Sequence, residues 1–377
     1  MPLQQMSSRS EPGLENAMSP LKKPLLQRGL LAAALALCTA MAWAAPAIER
    51  SSQESPMAVS AMGSVKAATC PPPVQMPTQA ELQALAQNLQ DRGLLWRVGH
   101  GGRSSWLYGT MHVAKREWML PGRSIMQAMA GVDKLALELN VTDPEVGKAL
   151  AQGLKARDDA PELAAALAAR LEQQRQQACA PELAGLRPEA QVLGLLAMAG
   201  RSHGLDAQYG VDMMLAGMAS GMRKPVLALE TVQAQLAELV SDDPVEIEEA
   251  VSDGLKQLES GTAPEQMQLL AQLWAEGNEQ KLENYADWCD CANTPRERAQ
   301  LKRMLDDRNA GMADGIVRLL QQGQSVFAAV GALHMVGPQG LPTLLRQKGY
   351  QVERVKFAPP APKAIPPKTH SKPMVTQ

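Results

Sequence analysis

Residues 106–112 read Trp-Leu-Tyr-Gly-Thr-Met-His, and residues 327–334 read Phe-Ala-Ala-Val-Gly-Ala-Leu-His. Each stretch is an apolar run that ends in Gly-x-x-His, where x is any residue, and such runs indicate buried β-strands. Glycine lets the backbone turn sharply at the end of a strand and approach a bound group closely. We therefore expect two buried strands, each followed by a histidine that is held close to the sheet.

Further strands and helices surround these two stretches. Hydrophobic patterns predict strands at residues 94–98, 106–109, 134–139, 225–229, 325–330 and 351–355. Helical patterns cover residues 78–92, 121–130, 143–201, 211–221, 231–321 and 341–348, with prolines at several helix starts. This order predicts an α/β (α+β) fold, in which a single large domain has a mixed central sheet, helical crossovers and two mostly helical insertions.

The amino terminus has the features of a secretory signal peptide. Basic residues precede an apolar run at 29–42, and the small-x-small sequence Ala-Trp-Ala follows at 42–44. The alternatives are a buried helix or a membrane anchor, but a membrane span needs about 20 apolar residues. The sequence therefore predicts that residues 1–44, starting from Met1 or Met18, direct export to the periplasm or the medium. We expect no stable membrane span after cleavage.

The remaining chain divides into three parts. Residues 45–76 are rich in Ser, Ala and Pro and predict a flexible leader. Residues 77–357 carry all the predicted strands and helices and form the folded domain. Residues 358–377 are rich in Pro and Lys and predict a disordered tail.

Composition excludes several classes of function. Lys and Arg number 37 against 39 Asp and Glu, for a net charge of −2, whereas proteins that bind nucleic acid usually carry a basic excess. Aromatic residues make up only 3% of the chain, which argues against an all-β sandwich and against an aromatic-lined sugar or base-stacking cleft. Hydrophobic residues make up 45%, which is enough for a sizeable core.

The cysteines are compatible with export. The chain has five cysteines, and removal of the signal peptide with Cys38 leaves an even number. An even count in an exported protein permits two disulfides. Because a direct bond between Cys289 and Cys291 would strain a short loop, we expect each of them to bond instead to Cys70 or Cys179.

Polar residues end four of the predicted strands. They are His112, Glu138, Glu230 and His334. In a sheet with helical crossovers, ligands gather outside the carboxyl ends of the strands. Two histidines and two glutamates there would suit a divalent metal or acid–base chemistry. The alternative is that each residue merely starts a loop or caps a helix.

Several further segments occur in a fixed order with the two Gly-x-x-His motifs. The set consists, in chain order, of residues 107–113, Leu137-Glu138, residues 209–212 (Tyr-Gly-Val-Asp), residues 224–231 (Lys-Pro-Val-Leu-Ala-Leu-Glu-Thr), Arg308-Asn309, residues 330–337, residues 340–342 (Gly-Leu-Pro) and residues 349–350 (Gly-Tyr). This ordered set resembles the TraB/GumN family, which also includes the TIKI proteases. The resemblance covers residues 94–357.

The resemblance implies a metal-dependent hydrolase fold, because TIKI members are metal-dependent proteases that use Mn or Co. It implies that His112 and His334 bind a divalent ion (Mn, Co or Zn) through neutral imidazoles. Glu138 would be a third ligand or a general base on a metal-bound water, and Glu230 would take the other role. The exported bacterial GumN branch is the more similar one.

Other matched residues have supporting roles in this interpretation. Arg308 and Asn309 would stabilise a developing oxyanion or the substrate carbonyl. Asp212 would orient a histidine, and Gly109 and Gly331 would leave room beside the site. The alternative for Asp212, Arg308 and Asn309 is a buried polar network that braces helices.

Two functions remain open from the sequence. One is an exported metal-dependent hydrolase, a peptidase that acts on a peptide or small-molecule substrate. The other is a non-catalytic binding protein that holds a peptide, haem or a polysaccharide-related ligand in the same cleft. The low aromatic content weakens the polysaccharide version, since sugar sites favour aromatic platforms.

Overall fold

The computed structural model describes residue 70 and residues 74–357. The predicted signal peptide, most of the predicted leader and the predicted tail lie outside the described residues.

The core of the fold is a mixed six-stranded sheet. Its strands are β1 (Leu94–His100), β2 (Arg103–Thr110), β4 (Lys134–Leu137), β6 (Val226–Ala228), β7 (Val326–Gly331) and β8 (Gln351–Val355). Their order across the sheet is β6-β4-β7-β2-β1-β8. Strand β1 pairs antiparallel with β2 and β8, whereas β2–β7, β7–β4 and β4–β6 are parallel pairs. The predicted α/β fold with a mixed sheet is thus confirmed.

Helices form the connections and both insertions. In chain order they are α1 (Gln79–Ala86), α2 (Arg123–Ala130), α3 (Pro144–Leu154), α4 (Ala165–Gln177), α5 (Pro188–Met198), α6 (Val211–Gly221), α7 (Val232–Leu239), α8 (Pro244–Glu259), α9 (Ala263–Ala275), α10 (Glu279–Glu283), α11 (Tyr285–Trp288), α12 (Pro295–Met304), α13 (Asp306–Gln321) and α14 (Leu341–Gln347). The first insertion, α3 to α6, lies between β4 and β6, and the second, α7 to α13, lies between β6 and β7.

Parallel pairing brings the two Gly-x-x-His motifs together. Gly109 of β2 lies opposite Val330 of β7, and Thr110 lies opposite Gly331. Because parallel neighbours end at the same edge of a sheet, the residues after both strands meet there. The chain of β4 ends beside them, since Leu137 pairs with Ala329.

The central strands are apolar because both faces of the sheet are covered. Leu107, Leu135 and Phe327 are completely buried, and the burial continues along each of their strands. Parallel strands that are buried on both faces read as continuous hydrophobic runs, which is the pattern in the sequence. Helices supply the rest of the core, and none of them in the described part of the chain is both long and apolar enough to cross a membrane.

The expected disulfide pairing was wrong. Cys70 bonds to Cys179, and Cys289 bonds to Cys291. The intervening Asp290 has a positive φ of 50°, and this left-handed turn brings the α-carbons of its two neighbours to 5.0 Å. That separation lies within the usual range for a disulfide, so the short loop closes.

Two local predictions also differ from the structure. Helix α1 ends at Ala86, where residue 92 was expected, and the chain then runs without regular structure into β1. A separate two-stranded sheet, β3 (Ala114–Lys115) with β5 (Leu205–Asp206), was missed. Strands of two residues are too short to give a hydrophobic period, so no sequence pattern marks them.

Candidate active site

The carboxyl edge of the sheet encloses a small cavity, which we call the strand-end cavity. Its volume is about 40 Å³. The polar side chains in its wall are Thr110, His112, Glu138, Arg308 and His334. The remaining wall residues are Met111, Leu270, Met304, Leu305, Gly331, Ala332 and Leu333. The predicted histidines and Glu138 therefore line one cavity together.

His112 is held by an acid on helix α6. Its Nδ1 lies 2.6 Å from Asp212 Oδ2, and the other Asp212 oxygen accepts a hydrogen bond from the Thr110 hydroxyl. Asp212 is buried in the first turn of α6, where the helix dipole favours a negative charge. Burial lowers the pKa of His112, but the Asp212 carboxylate and its hydrogen bond outweigh burial and raise this pKa to about 9.

His334 has a neutral partner. Its Nδ1 lies 2.7 Å from Asn309 Oδ1, while Asn309 Nδ2 donates to the Gln339 carbonyl at 2.8 Å. Because the amide nitrogen is bonded to a carbonyl, the amide oxygen must face the imidazole, and Nδ1 of His334 carries the proton. Burial lowers the pKa of His334 to about 4, with Arg308 and His112 adding to the effect. The imidazole is therefore neutral at pH 7, with its lone pair on Nε2.

Glu138 lies between the two histidines and an arginine. Its Oε1 accepts from the Gly331 amide at 2.8 Å and lies 3.8 Å from His112 Nε2. Its Oε2 accepts from Arg308 Nη2 at 2.9 Å. Burial raises the pKa of Glu138, but the charge of Arg308, together with the histidines in their protonated forms, outweighs burial and lowers this pKa to about 2. The side chain is therefore a carboxylate at pH 7.

Glu230 and Asn309 are not among the residues that line the strand-end cavity. Both oxygens of Glu230 are bonded to Arg308, at 2.8 Å from Nε to Oε1 and by a second contact from Nη2. Both polar atoms of the Asn309 side chain are also used, as described above. These two residues therefore lie behind residues of the cavity wall, Glu230 behind Arg308 and Asn309 behind His334.

Both motif glycines occupy crowded positions. A Cβ on Gly109 would lie 3.1 Å from Ala332 Cα, and the Gly109 carbonyl accepts a hydrogen bond from Trp274 Nε1 at 2.7 Å. A Cβ on Gly331 would lie 3.3 Å from Glu138 Oε1 and 3.7 Å from His112 Nε2. Glycine at residue 331 thus leaves an open space that the functional side chains surround.

The donor atoms around this space suit a divalent metal in kind. Two ligands that bind one tetrahedral ion at about 2.1 Å are roughly 3.4 Å apart, close to the observed separation of His112 Nε2 and Glu138 Oε1. His334 turns its Cδ2 carbon toward the same space, at 3.5 Å from the Gly331 Cβ position. Because His334 presents a carbon atom there, only two of these three side chains direct a donor atom at the space. In this arrangement, no three His, Cys, Asp or Glu side chains within residues 70 and 74–357 are grouped closely enough to hold a metal ion.

A Gly-x-Ser-x-Gly sequence, residues 200–204, also occurs in the chain. In serine hydrolases this motif forms a turn between a strand and a helix. Here the first four of these residues lie in a 3₁₀-helix after α5, and the Ser202 hydroxyl donates to the Ala199 carbonyl at 3.4 Å. The stretch therefore lacks the structural context of a serine nucleophile.

Sequence reasoning missed Gln235 of helix α7. Its Nε2 donates to Glu138 Oε2 at 3.3 Å and to Glu230 Oε2 at 3.2 Å. Nothing in the sequence distinguishes it from Gln233, which lies on the exposed face of the same helix. Its burial against two carboxylates could have been found only from the fold.

Comparison with known proteins gives one finding. A model described as the TraB/PrgY/gumN family matches residues 94–354, which run from the start of β1 into β8 and include both Gly-x-x-His motifs. No significant match was found among curated proteins or among solved structures.

Proposed function

Because the chain belongs to the TraB/PrgY/gumN family, we propose that it is an exported metal-dependent hydrolase with peptidase activity. One observation carries the proposal. Two imidazoles and a carboxylate surround the open space at Gly331, and each imidazole has its Nδ1 engaged by a buried partner. Histidines that ligate metals typically have their second nitrogen bonded in this way.

His112, His334 and Glu138 would hold the ion. When bound, a divalent metal would polarise the substrate carbonyl and lower the pKa of a water molecule. Asp212 and Asn309 fix the orientation of the two imidazoles. Because His112 is protonated at neutral pH in the metal-free protein, it must lose one proton before its Nε2 lone pair is free.

The two glutamates take different roles in this proposal. Glu138 has an oxygen directed at His112, so it serves as the ligand or the base. Glu230 bonds to Arg308 through both oxygens and positions that arginine. Arg308, whose charge is shared by the two carboxylates, steadies Glu138 and lines the cavity where a substrate oxygen would lie.

The size of the strand-end cavity favours a hydrolase over the alternative of a binding protein for haem or a polysaccharide-related ligand. A water molecule needs at least about 10–15 Å³ of such volume, so about 40 Å³ is room for an ion with a water. A peptide would reach the polar residues only when the aliphatic wall, including Leu270 and Leu305, moves apart.

Export forms the second part of the proposal. Two disulfides among the described residues support it, because such bonds form and persist in oxidising compartments. The predicted signal peptide of residues 1–44 would deliver the chain to the periplasm or the medium.

The test is metal binding by protein purified from an export compartment. We expect wild type to bind Mn, Co or Zn, and His112→Ala and His334→Ala each to lose the ion together with hydrolysis of a peptide library. His100→Ala, which alters an exposed histidine at the end of β1, should retain both. Wild-type protein that binds none of the three ions, with an unchanged melting temperature, would reject the proposal.

A further inference from the structure

A second cavity adjoins the strand-end cavity, and we call it the rear cavity. Its volume is about 20 Å³, which exceeds the space that one water molecule requires. His112 and Glu138 belong to the walls of both cavities. The remaining rear-cavity residues are Leu137, Leu139, Val141, Asp212 and Gln235.

Gln235 links the two glutamates of the site from the wall of the rear cavity. The side chain is buried, with 5% of the residue exposed. Both hydrogens of its Nε2 are used, one by Glu138 Oε2 and one by Glu230 Oε2. A buried amide that is bonded at both hydrogens is held in one orientation, and so are the oxygens that accept from it.

The amide nitrogen of Gln235 also contributes to the orientation of Glu138. Glu138 Oε2 accepts from both Arg308 and Gln235, so these two side chains fix the position of this oxygen. Glu138 Oε1 is then left for the Gly331 amide and for His112. Because Gln235 is uncharged, it fixes the carboxylate without adding to the charge of the site.

We propose that Gln235 is a positioning residue, which binds Glu138 Oε2 and thereby holds Glu138 Oε1 toward His112. This inference rests on the proposed function, since a fixed carboxylate oxygen matters most when it ligates an ion. Partners that orient metal ligands typically contribute a factor of about 10–100 to metal affinity.

The first experiment measures metal affinity in two matched variants. Gln235→Met keeps the length of the side chain and its helix preference but removes the amide, and Gln233→Met makes the same change on the exposed face of α7. We expect the dissociation constant for Mn or Zn to rise about 10–100-fold in Gln235→Met and to stay within about twofold of wild type in Gln233→Met. An unchanged constant in folded Gln235→Met overturns the inference and leaves the proposed function intact.

The second experiment is independent of metal. In high-resolution crystal structures of the metal-free wild type and of Gln235→Met, the variant should have Glu138 rotated from its wild-type rotamer. An unmoved Glu138 overturns the inference even if no metal binds and the proposed function fails. Gln235→Asn, whose amide is withdrawn by one methylene, replaces Gln235→Met if that variant does not fold.

Discussion

His112 and His334 have opposite electrostatic surroundings, although each follows a glycine by three residues. A carboxylate holds Nδ1 of His112, so its imidazolium form is favoured and its pKa is raised to about 9. An amide holds Nδ1 of His334, and burial then lowers its pKa to about 4. The metal-free site therefore carries one cationic and one neutral imidazole at pH 7. Since the two pKa values are shifted in opposite directions, the two rings affect the stability of the protein on opposite sides of neutral pH.

The two histidines predict that the metal-free protein is most stable near pH 6.5. The folded state raises the pKa of His112 from 6.5 to about 9, so the contribution of His112 to the unfolding free energy is fully present below pH 6.5 and is lost as the pH rises through 9. The folded state lowers the pKa of His334 from 6.5 to about 4, so the contribution of His334 is fully present above pH 6.5 and is lost as the pH falls through 4. Each effect is on the order of 3 kcal/mol.

Urea unfolding of chelator-treated protein between pH 4 and pH 9.5 measures this dependence. His112→Gln should flatten the alkaline side of the stability profile, and His334→Gln should flatten the acid side. Each variant thus serves as the control for the other. An alkaline decline that persists unchanged in His112→Gln would contradict the assignment of that decline to His112.

Gly331→Ala is predicted to impair metal binding with little loss of stability. The backbone φ of residue 331 is −45°, which alanine adopts readily, but the new methyl group would lie 3.3 Å from Glu138 Oε1. It would occupy the space that the donor atoms surround. We expect metal affinity to fall by about 10-fold or more, as for other disturbed metal ligands.

Gly217→Ala is the matched control for this change. Residue 217 lies inside helix α6, and a Cβ there meets no atom within 4 Å. The control should keep wild-type metal affinity and gain up to about 1 kcal/mol in stability from helix propensity. Isothermal titration with Zn or Mn distinguishes the outcomes, and wild-type affinity in Gly331→Ala would place the ion elsewhere.

At the scale of elements, the two disulfides close loops of very different length. Cys70 and Cys179 are separated by 109 residues in sequence, whereas Cys289 and Cys291 are separated by 2. In the chain-entropy model, a bond across about 100 residues contributes about 5 kcal/mol to the unfolding free energy, and one across about three residues contributes about 2 kcal/mol. The first bond should therefore dominate the stabilisation.

Two variants that each retain one disulfide test this difference. Cys289→Ala/Cys291→Ala keeps only the long loop, and Cys70→Ala/Cys179→Ala keeps only the short one. Urea unfolding of each variant before and after reduction isolates the bond, because the truncated side chains are the same in both measurements. Equal losses on reduction would contradict the loop-length argument.

The disulfides also show where sequence reasoning reached its limit at this scale. The spacing of Cys289 and Cys291 argued against a direct bond, because an ordinary residue between them would keep the chain too extended. Asp290 adopts a left-handed conformation, which asparagine and aspartate reach more easily than most residues. That conformation depends on the surrounding structure, so the spacing alone gave the wrong pairing.

In the whole molecule, the sheet and the insertions contribute different parts of the candidate site. The sheet edge supplies His112, Glu138 and His334, which follow β2, β4 and β7. The insertions supply the partners of these residues, namely Asp212 from α6, Gln235 from α7, and Arg308 with Asn309 from α13. The site is therefore complete only when both insertions are folded against the sheet.

This division explains how much of the site the sequence predicts. Residues at strand ends are recognisable, because an apolar run that ends in a polar residue is a local pattern. The partners lie on helices, where buried and exposed polar residues alternate with the helix period and look alike. Gln235 and Gln233 illustrate the difficulty, and the exact partners of Asp212 and Asn309 likewise emerge only from the packing of α6 and α13.

The proposed export and the two disulfides lead to a last prediction, which compares the chain with and without residues 1–44. Expressed with residues 1–44 in a Gram-negative host, the protein should appear in the periplasm, shortened to begin near residue 45 and without free thiols. Expressed without residues 1–44, it should stay in the reducing cytosol with thiols that react with an alkylating agent, since disulfides rarely persist there. It should then unfold at lower urea concentration, because the Cys70–Cys179 bond is missing.

Intact-mass measurement after alkylation gives both the amino terminus and the thiol count. An unshortened, fully alkylated chain in the cytosol would reject export, and a periplasmic product with free thiols would instead reject the pairing.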